Sequence, residues 1–243
     1  MRALELWVAS LSRKGVSYGQ VLSGLSAVRH HVKKHWRNAK LSSHRLELML
    51  KGLKKKKKTT PEKKAVTLSH LKRLCRVSNI LNTPEALLLR AMTTLAFFGF
   101  LRPSELCMST SGHTLLRKDV KLGKNETCCY VRFKTFKHSV ATQKIKIDKQ
   151  APRLICPVEN LSAYLDSTTT ASPQRPLFDI TTTEFKNTLD TLCHAAKIKS
   201  KITPHCFRVG GATWASKQGW SESRIQSHGR WKSGAYKTYI KAY

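Results

Sequence analysis

The sequence predicts a mainly α protein with one small antiparallel β-sheet, an α+β fold, and three observations predict it. Apolar residues recur at helical spacing along most of the chain. One segment, Glu126 to Asp148, changes to the alternating pattern of a β-hairpin, rich in Val, Ile, Tyr, Phe and Thr, with a polar break at Lys137 to Ser139. A lysine-rich stretch, KGLKKKKKTTPEKKAV from Lys51 to Val66, cannot bury an apolar face and divides the chain.

Residues 1–53 read as a small helical module. SYGQVLSGLSAVRHHVKKHW sets Val21, Leu25, Val28 and Val32 on one helical face, and SSHRLELMLKGL gives a second short helix. The module is expected to lack its beginning. Residues 54–65 read as a basic linker. Its lysines Lys54, Lys55, Lys56, Lys57 and Lys58 suit a solvated spacer, a nuclear localisation patch, or a strap across a DNA backbone.

Residues 66–243 make the second domain. TLSHLKRLCRVSNI and TPEALLLRAMTTLAFFGF are helical in pattern, the latter apolar nearly all round and therefore buried. After the hairpin, helices return at PVENLSAYLDS and at TTEFKNTLDTLCHAAK, where Phe185, Leu189, Leu192 and Ala196 form a stripe. Thr203 as N-cap and Pro204 at the first helical position start another helix. Within it, Gly210 and Gly211 cost roughly 1 kcal/mol each against Ala, which implies close approach of a neighbouring backbone. The chain closes on Tyr236, Tyr239 and Tyr243, whose spacing puts three rings on one face of a helix.

Charge narrows the partner. Lys and Arg total 45 against 14 Asp and Glu, a net +31 that repels itself unless it meets a polyanion. Double-stranded DNA fits, with binding expected to weaken with salt at a log-log slope of roughly −0.9 per phosphate contact. There is no run of eighteen apolar residues, and the start, MRALELWVASLSRKG, lacks the layout of a secretory signal, so no membrane partner is expected. Seven scattered cysteines point to reduced thiols in a cytosolic or nuclear protein, and none has zinc-ligand spacing. A Gly-rich phosphate loop ending in Lys-Ser or Lys-Thr is also missing.

Two stretches carry groups suited to a phosphate. His205 and Arg208 share the first turn of the helix opened by Thr203, where free N–H groups and the dipole favour an anion. In FFGFLRPSELC, a buried helix stops at Gly99, and Arg102 follows before a new helix primed by Pro103, with Glu105 in reach to steady it. Arginine suits phosphate because its planar fork stays charged and donates in parallel.

FFGFLRPSEL, the hairpin with FKTFKHS, TPHCFRVGGATWA and GRWKSGAYKTYIK stand in the order and approximate spacing of the tyrosine recombinase (phage integrase) family, which the chain resembles from about Val66 to Tyr243. ITPHCFRVGGATWA and GRWKSGAYKTYIK look most like the recombinases of eukaryotic mobile elements, the DIRS-like retrotransposons and Cryptons. The resemblance implies a helical core-binding module followed by a catalytic domain. It implies Arg102 and Arg208 as the phosphate clamp, Glu105 as support for Arg102, His205 as base or hydrogen-bond donor, Lys134 as general acid, Trp231 in the His/Trp position and Tyr239 as nucleophile. Lys137 stays open as an alternative acid, and Tyr236 as nucleophile if His228 fills the His/Trp position. Arg132 and Lys137 join the linker lysines as expected DNA contacts.

The resemblance further implies cutting and rejoining of DNA through a 3′-phosphotyrosyl intermediate, with no metal and no cofactor, and a homo-oligomer, the tetrameric synapse. Four residues follow Tyr239, fewer than relatives commonly use to dock on a neighbouring subunit. The expected location is nuclear for a eukaryotic source and cytoplasmic otherwise. A DNA-binding protein with idle catalysis, or a type IB topoisomerase-like enzyme, is the alternative.

Overall fold

The computed structural model describes residues 2–36, 41–55, 65–110, 112–134 and 142–240. The chain divides into two units, residues 1–62 and 63–243.

Among the described residues the first unit has three helices: α1 (Arg2–Arg13), α2 (Tyr18–His35) and α3 (His44–Lys55). Ser17 and Gln20 form a reciprocal capping box at the start of α2. Val21 and Leu25 are buried with Val8 and Leu46, while Val28 and Val32 are half-buried, so the expected α2 face holds but fades toward its end. Gly24 admits the Trp7 ring, which would lie 2.6 Å from an added Cβ. Lys54 and Lys55 form the last turn of α3, whereas the sequence expectation placed them in a linker. Lysine is a good helix former, and its charge complements the negative end of the dipole. Lys56, Lys57 and Lys58 lie outside the described residues.

The second unit opens with α4 (Leu68–Leu81) and α5 (Pro84–Phe98). The hydroxyls of Thr67 and Thr83 accept from the N–H groups of His70 and Ala86 to cap them. As its composition predicts, α5 is buried nearly all round and packs against α4, α7 (Pro157–Ser167) and α9 (Pro204–Lys217). Gly99 ends it, and the short α6 (Pro103–Leu106) follows.

The sheet has three antiparallel strands in the order β1 (Val120–Leu122), β2 (Cys128–Phe133) and β3 (Gln143–Asp148), with Val131 paired to both Val120 and Ile145. The hairpin expectation holds for β2 and β3. At three residues, β1 was too short to announce itself by alternation.

On α8 (Thr182–Ala195), the residues Phe185, Leu189, Leu192 and the flanking Ala196 are all buried, and Thr181 and Glu184 cap it reciprocally. A Cβ on Gly210 would come 2.0 Å from the carbonyl oxygen of Val66, and one on Gly211 1.9 Å from that of Phe97. The expected backbone approach is therefore real and comes from two sides, fixing α9 against α5. Finally, α10 (Glu222–Gly229) leads into a turn of 3₁₀ helix, Gly234–Thr238. The terminal tyrosines thus do not share an α-helical face, and Tyr243 lies outside the described residues. All seven cysteines are free and buried. Among the described residues no helix is long and apolar enough to cross a membrane, and no group of His, Cys, Asp and Glu could hold a metal ion.

Candidate active site

One carboxylate organises the site. Glu105, 1% exposed, accepts from the Arg102 backbone N–H at 2.7 Å, from Arg102 Nη1 at 2.8 Å and from Arg230 Nη2 at 2.8 Å. Burial pushes its pKa up. The opposing charges of Arg230, Arg102 and Arg208 prevail, and the carboxyl lies below the usual range. Glu105 therefore supports Arg102, as the sequence predicts, and also holds Arg230, which no sequence signal singled out.

Two connections build this cluster. Phe100 and Arg230 both take the left-handed conformation, at φ 49° and 58°, although neither is glycine. For side-chain-bearing residues this costs about 1–2 kcal/mol each. The strain aims the Phe100 carbonyl at two guanidinium groups: Arg208 Nη1 and Arg230 Nη2, the latter at 3.2 Å, both donate to it. Arg230 Nη1 also donates to the carbonyl of His228 at 2.8 Å, and Arg208 Nη2 to that of Gly229 at 2.6 Å.

Arg208 is consequently buried beneath the site, its guanidinium 4.1 Å from the centre of the Trp231 ring. Burial first, then repulsion from Arg230 and Arg102, lowers its pKa, although an arginine remains protonated at neutral pH. Three guanidinium groups around one carboxylate leave a surplus of two positive charges in a poorly solvated place. Such an excess is stabilised by an anion.

Above this floor is a cavity of about 640 Å³ lined by Arg102, His205, Arg230, Trp231, Lys232 and Tyr239, among others. Four sequence-predicted residues from three separate segments, Arg102, His205, Trp231 and Tyr239, thus meet here. His205 occupies the second position of α9, with its ring edge-on to Tyr239 at 5.4 Å between centroids. Thr203 holds the N-cap position, but its hydroxyl contacts Cys206 Sγ rather than capping the backbone. Trp231 lies 5.2 Å from the Tyr239 ring. The Tyr239 carbonyl accepts from Thr213 Oγ1 at 2.9 Å, which ties the terminal turn to α9. Thr213 escaped the sequence reading because nothing marks one helical threonine among many.

The two tyrosines part company. Tyr236, 4% exposed, donates its hydroxyl to Glu222 at 2.5 Å, and this hydrogen bond chiefly raises its pKa, away from phenolate. His228, which would have paired with a Tyr236 nucleophile, is packed between Phe100 and Trp220 with Nε2 2.9 Å from the Phe98 carbonyl. Burial brings its pKa down to about 4, so it is a neutral packing residue.

Lys134 is not among the residues lining this cavity. It lines a neighbouring one and stands 4.0 Å from Asp119, which also pairs with Arg132 at 3.4 Å. Lys137 lies outside the described residues. Arg208, too, supports the cavity from below rather than lining it.

Comparison with known proteins agrees with this geometry. Residues 64–242 match the model of the phage integrase family. No curated protein matches. Among solved structures, the chain is similar to lambda integrase, as a dimer bound to a COC′ core site, with TM-score 0.66, 16% identity, and 99% of this chain and 79% of that one covered. It is also similar to the Tn1549 transposon integrase in complex with transposon right end DNA, with TM-score 0.62, 14% identity, and 99% and 80% covered. For the XerH site-specific recombinase bound to palindromic difH substrate, the TM-score is 0.57 at 13% identity, and 73% of this chain spans about half, 49%, of that one. With most of its second unit matched by the family model, and with four separated motif residues gathered at one cavity, the chain belongs to the phage integrase family.

Proposed function

We propose that the chain cuts and rejoins double-stranded DNA at defined sites through a covalent 3′-phosphotyrosyl intermediate. One observation carries this reading: Arg102, His205, Trp231 and Tyr239 line a single cavity over a buried cluster with excess positive charge. Arg102 takes the non-bridging oxygens of the scissile phosphate, and the charge below favours the extra negative charge of the transition state. Tyr239 Oη forms the new P–O bond while its proton passes toward His205. The P–O5′ bond breaks, and the 5′-oxygen takes a proton from Lys134. The free 5′-hydroxyl of a second strand then reverses the step and releases Tyr239, so bond energy is stored and no nucleotide cofactor is needed. Lys134 must leave Asp119 to do this. At 4.0 Å, with the lysine end half exposed, the contact is long enough for a DNA phosphate to replace it.

The phrases ITPHCFRVGGATWA and GRWKSGAYKTYIK support a finer affiliation with DIRS-like and Crypton recombinases. On that affiliation the enzyme works in the nucleus, and strand exchange requires a homo-oligomer on DNA.

The test is an SDS-resistant adduct assay on nicked duplexes of randomised sequence. Wild type is expected to form a covalent protein–DNA band, and sequencing the trapped DNA gives the site. DNA binding with no adduct under any condition contradicts the proposal and favours a binding protein.

A further inference from the structure

Arg230 belongs to the charged cluster below the cavity and also reaches the strand that carries Lys134. Its guanidinium is fully buried and bonds Glu105 Oε2 at 2.8 Å, the partner that also fixes Arg102. Its own carbonyl accepts from Arg102 Nη2 at 3.4 Å. On the other side the same guanidinium lies 3.9 Å from the centre of the Phe133 ring. Phe133 is the last residue of β2, and Lys134 follows it directly. Its Nε is buried without a hydrogen-bond partner, an arrangement that persists only where the group's other contacts fix it.

We propose that Arg230 is a positioning residue that joins the two halves of the reaction: through Glu105 it sets the clamp arginine Arg102, and through the Phe133 ring it fixes the strand end carrying Lys134. The inference rests on the recombinase reading, in which Arg102 binds the scissile phosphate and Lys134 protonates the leaving 5′-oxygen. Arg230 touches neither substrate atom. It acts by making the distance between clamp and acid a property of the folded protein. A lysine would not replace it, because a single ammonium cannot bond a carboxylate and three carbonyls from fixed, separate directions while also contacting the Phe133 ring.

The test compares wild type, Arg230→Gln and Phe133→Leu in single-turnover cleavage of one nicked duplex, made with oxygen and with sulfur at the bridging 5′ position. A thiolate leaves without a proton, so the sulfur substrate bypasses the general acid. Phe133→Leu keeps an apolar side chain but removes the ring, leaves Glu105 paired, and serves if Arg230→Gln does not fold. Both variants are expected to lose roughly 10²-fold on the oxygen substrate, on the scale of a lost preorganised donor. Phe133→Leu should recover most of its loss on sulfur. Arg230→Gln should recover only part, because its link to Arg102 is broken as well.

Equal loss on both substrates for both variants removes the link to Lys134 and overturns the proposal. So does a rate loss wholly matched by lost DNA affinity and thermal stability, which would make Arg230 structural only. A wild type that forms no adduct sinks the underlying reading. A wild type that reacts beside variants that react equally fast sinks this inference alone.

Discussion

The floor and the rim of the cavity are built in opposite ways. In the floor, Glu105, Arg208 and Arg230 are each no more than 3% exposed and are held by hydrogen bonds to carbonyls and to one another. In the rim, His205, Trp231 and Tyr239 are half-buried and meet through ring contacts, with Thr213 Oγ1 bonded to the Tyr239 carbonyl. The positive field is thus set before any DNA arrives, while the reacting groups keep freedom to meet it. Preorganised charge costs no reorganisation at the moment of reaction, so it belongs in the rigid part. The comparison predicts that floor substitutions cost stability and rate together, whereas rim substitutions cost rate alone.

The largest effect should come from the rim. Tyr239→Phe removes the nucleophile, a loss on the order of 10⁶-fold that takes the adduct below detection. Its unfolding free energy, from urea denaturation, should stay within about 0.5 kcal/mol of wild type, since one hydroxyl at a half-buried edge is all that is lost. A matching fall in stability would erase the distinction between floor and rim.

In the floor, Glu105→Gln leaves the buried Arg230 and the partly buried Arg102 without their anion, at a cost of about 3–5 kcal/mol. Urea denaturation should show this, and cleavage at saturating DNA should fall with it. Unchanged stability would mean that the floor is not the rigid element described here.

His228 backs the floor, its carbonyl bonded by Arg230 and its ring packed against Phe100 and Trp220, and pH sharpens the comparison there. Its folded pKa of about 4 lies below the ordinary 6.5, because burial, then the charges of Arg230 and Arg224, disfavour the imidazolium despite the Phe98 carbonyl. The unfolded chain binds the extra proton between those values. Its stability contribution is therefore complete above pH 6.5 and is lost as pH falls toward 4. Going from pH 7 to pH 5 should cost wild type about 2 kcal/mol more than it costs His228→Gln.

The smallest effect belongs to Tyr236→Phe. Losing the hydrogen bond to Glu222 should cost about 1 kcal/mol, read from the thermal midpoint, with adduct formation retained.

Much of this was legible in the sequence because periodicity and caps act locally. The buried α5, the hairpin of β2 and β3, and the start of α9 at Pro204 follow from spacing and end residues alone. Even the close approach behind Gly210 and Gly211 was readable, since paired glycines inside a helix need a reason. What was not legible depends on parts that meet only after folding. Arg230 looks like one more charge in a basic tail until the left-handed turn swings it beneath Glu105. Arg208 shares its helical turn with His205, yet the carbonyls of Phe100 and Gly229 draw it inward. Likewise Asp119, one carboxylate at the end of a 3₁₀ turn just before β1, holds Lys134 outside the cavity through a fold-dependent contact.

The most direct measurement is to trap the covalent adduct, digest the DNA and the protein, and map the modified residue by mass spectrometry. Trypsin separates the contenders cleanly: cleavage after Lys232, Lys237 and Lys241 puts Tyr236 in SGAYK and Tyr239 in TYIK. A nucleotide remnant on TYIK is the predicted result. A remnant on SGAYK, or on any other peptide, would contradict the assignment of Tyr239 and the division between packing and reacting tyrosines.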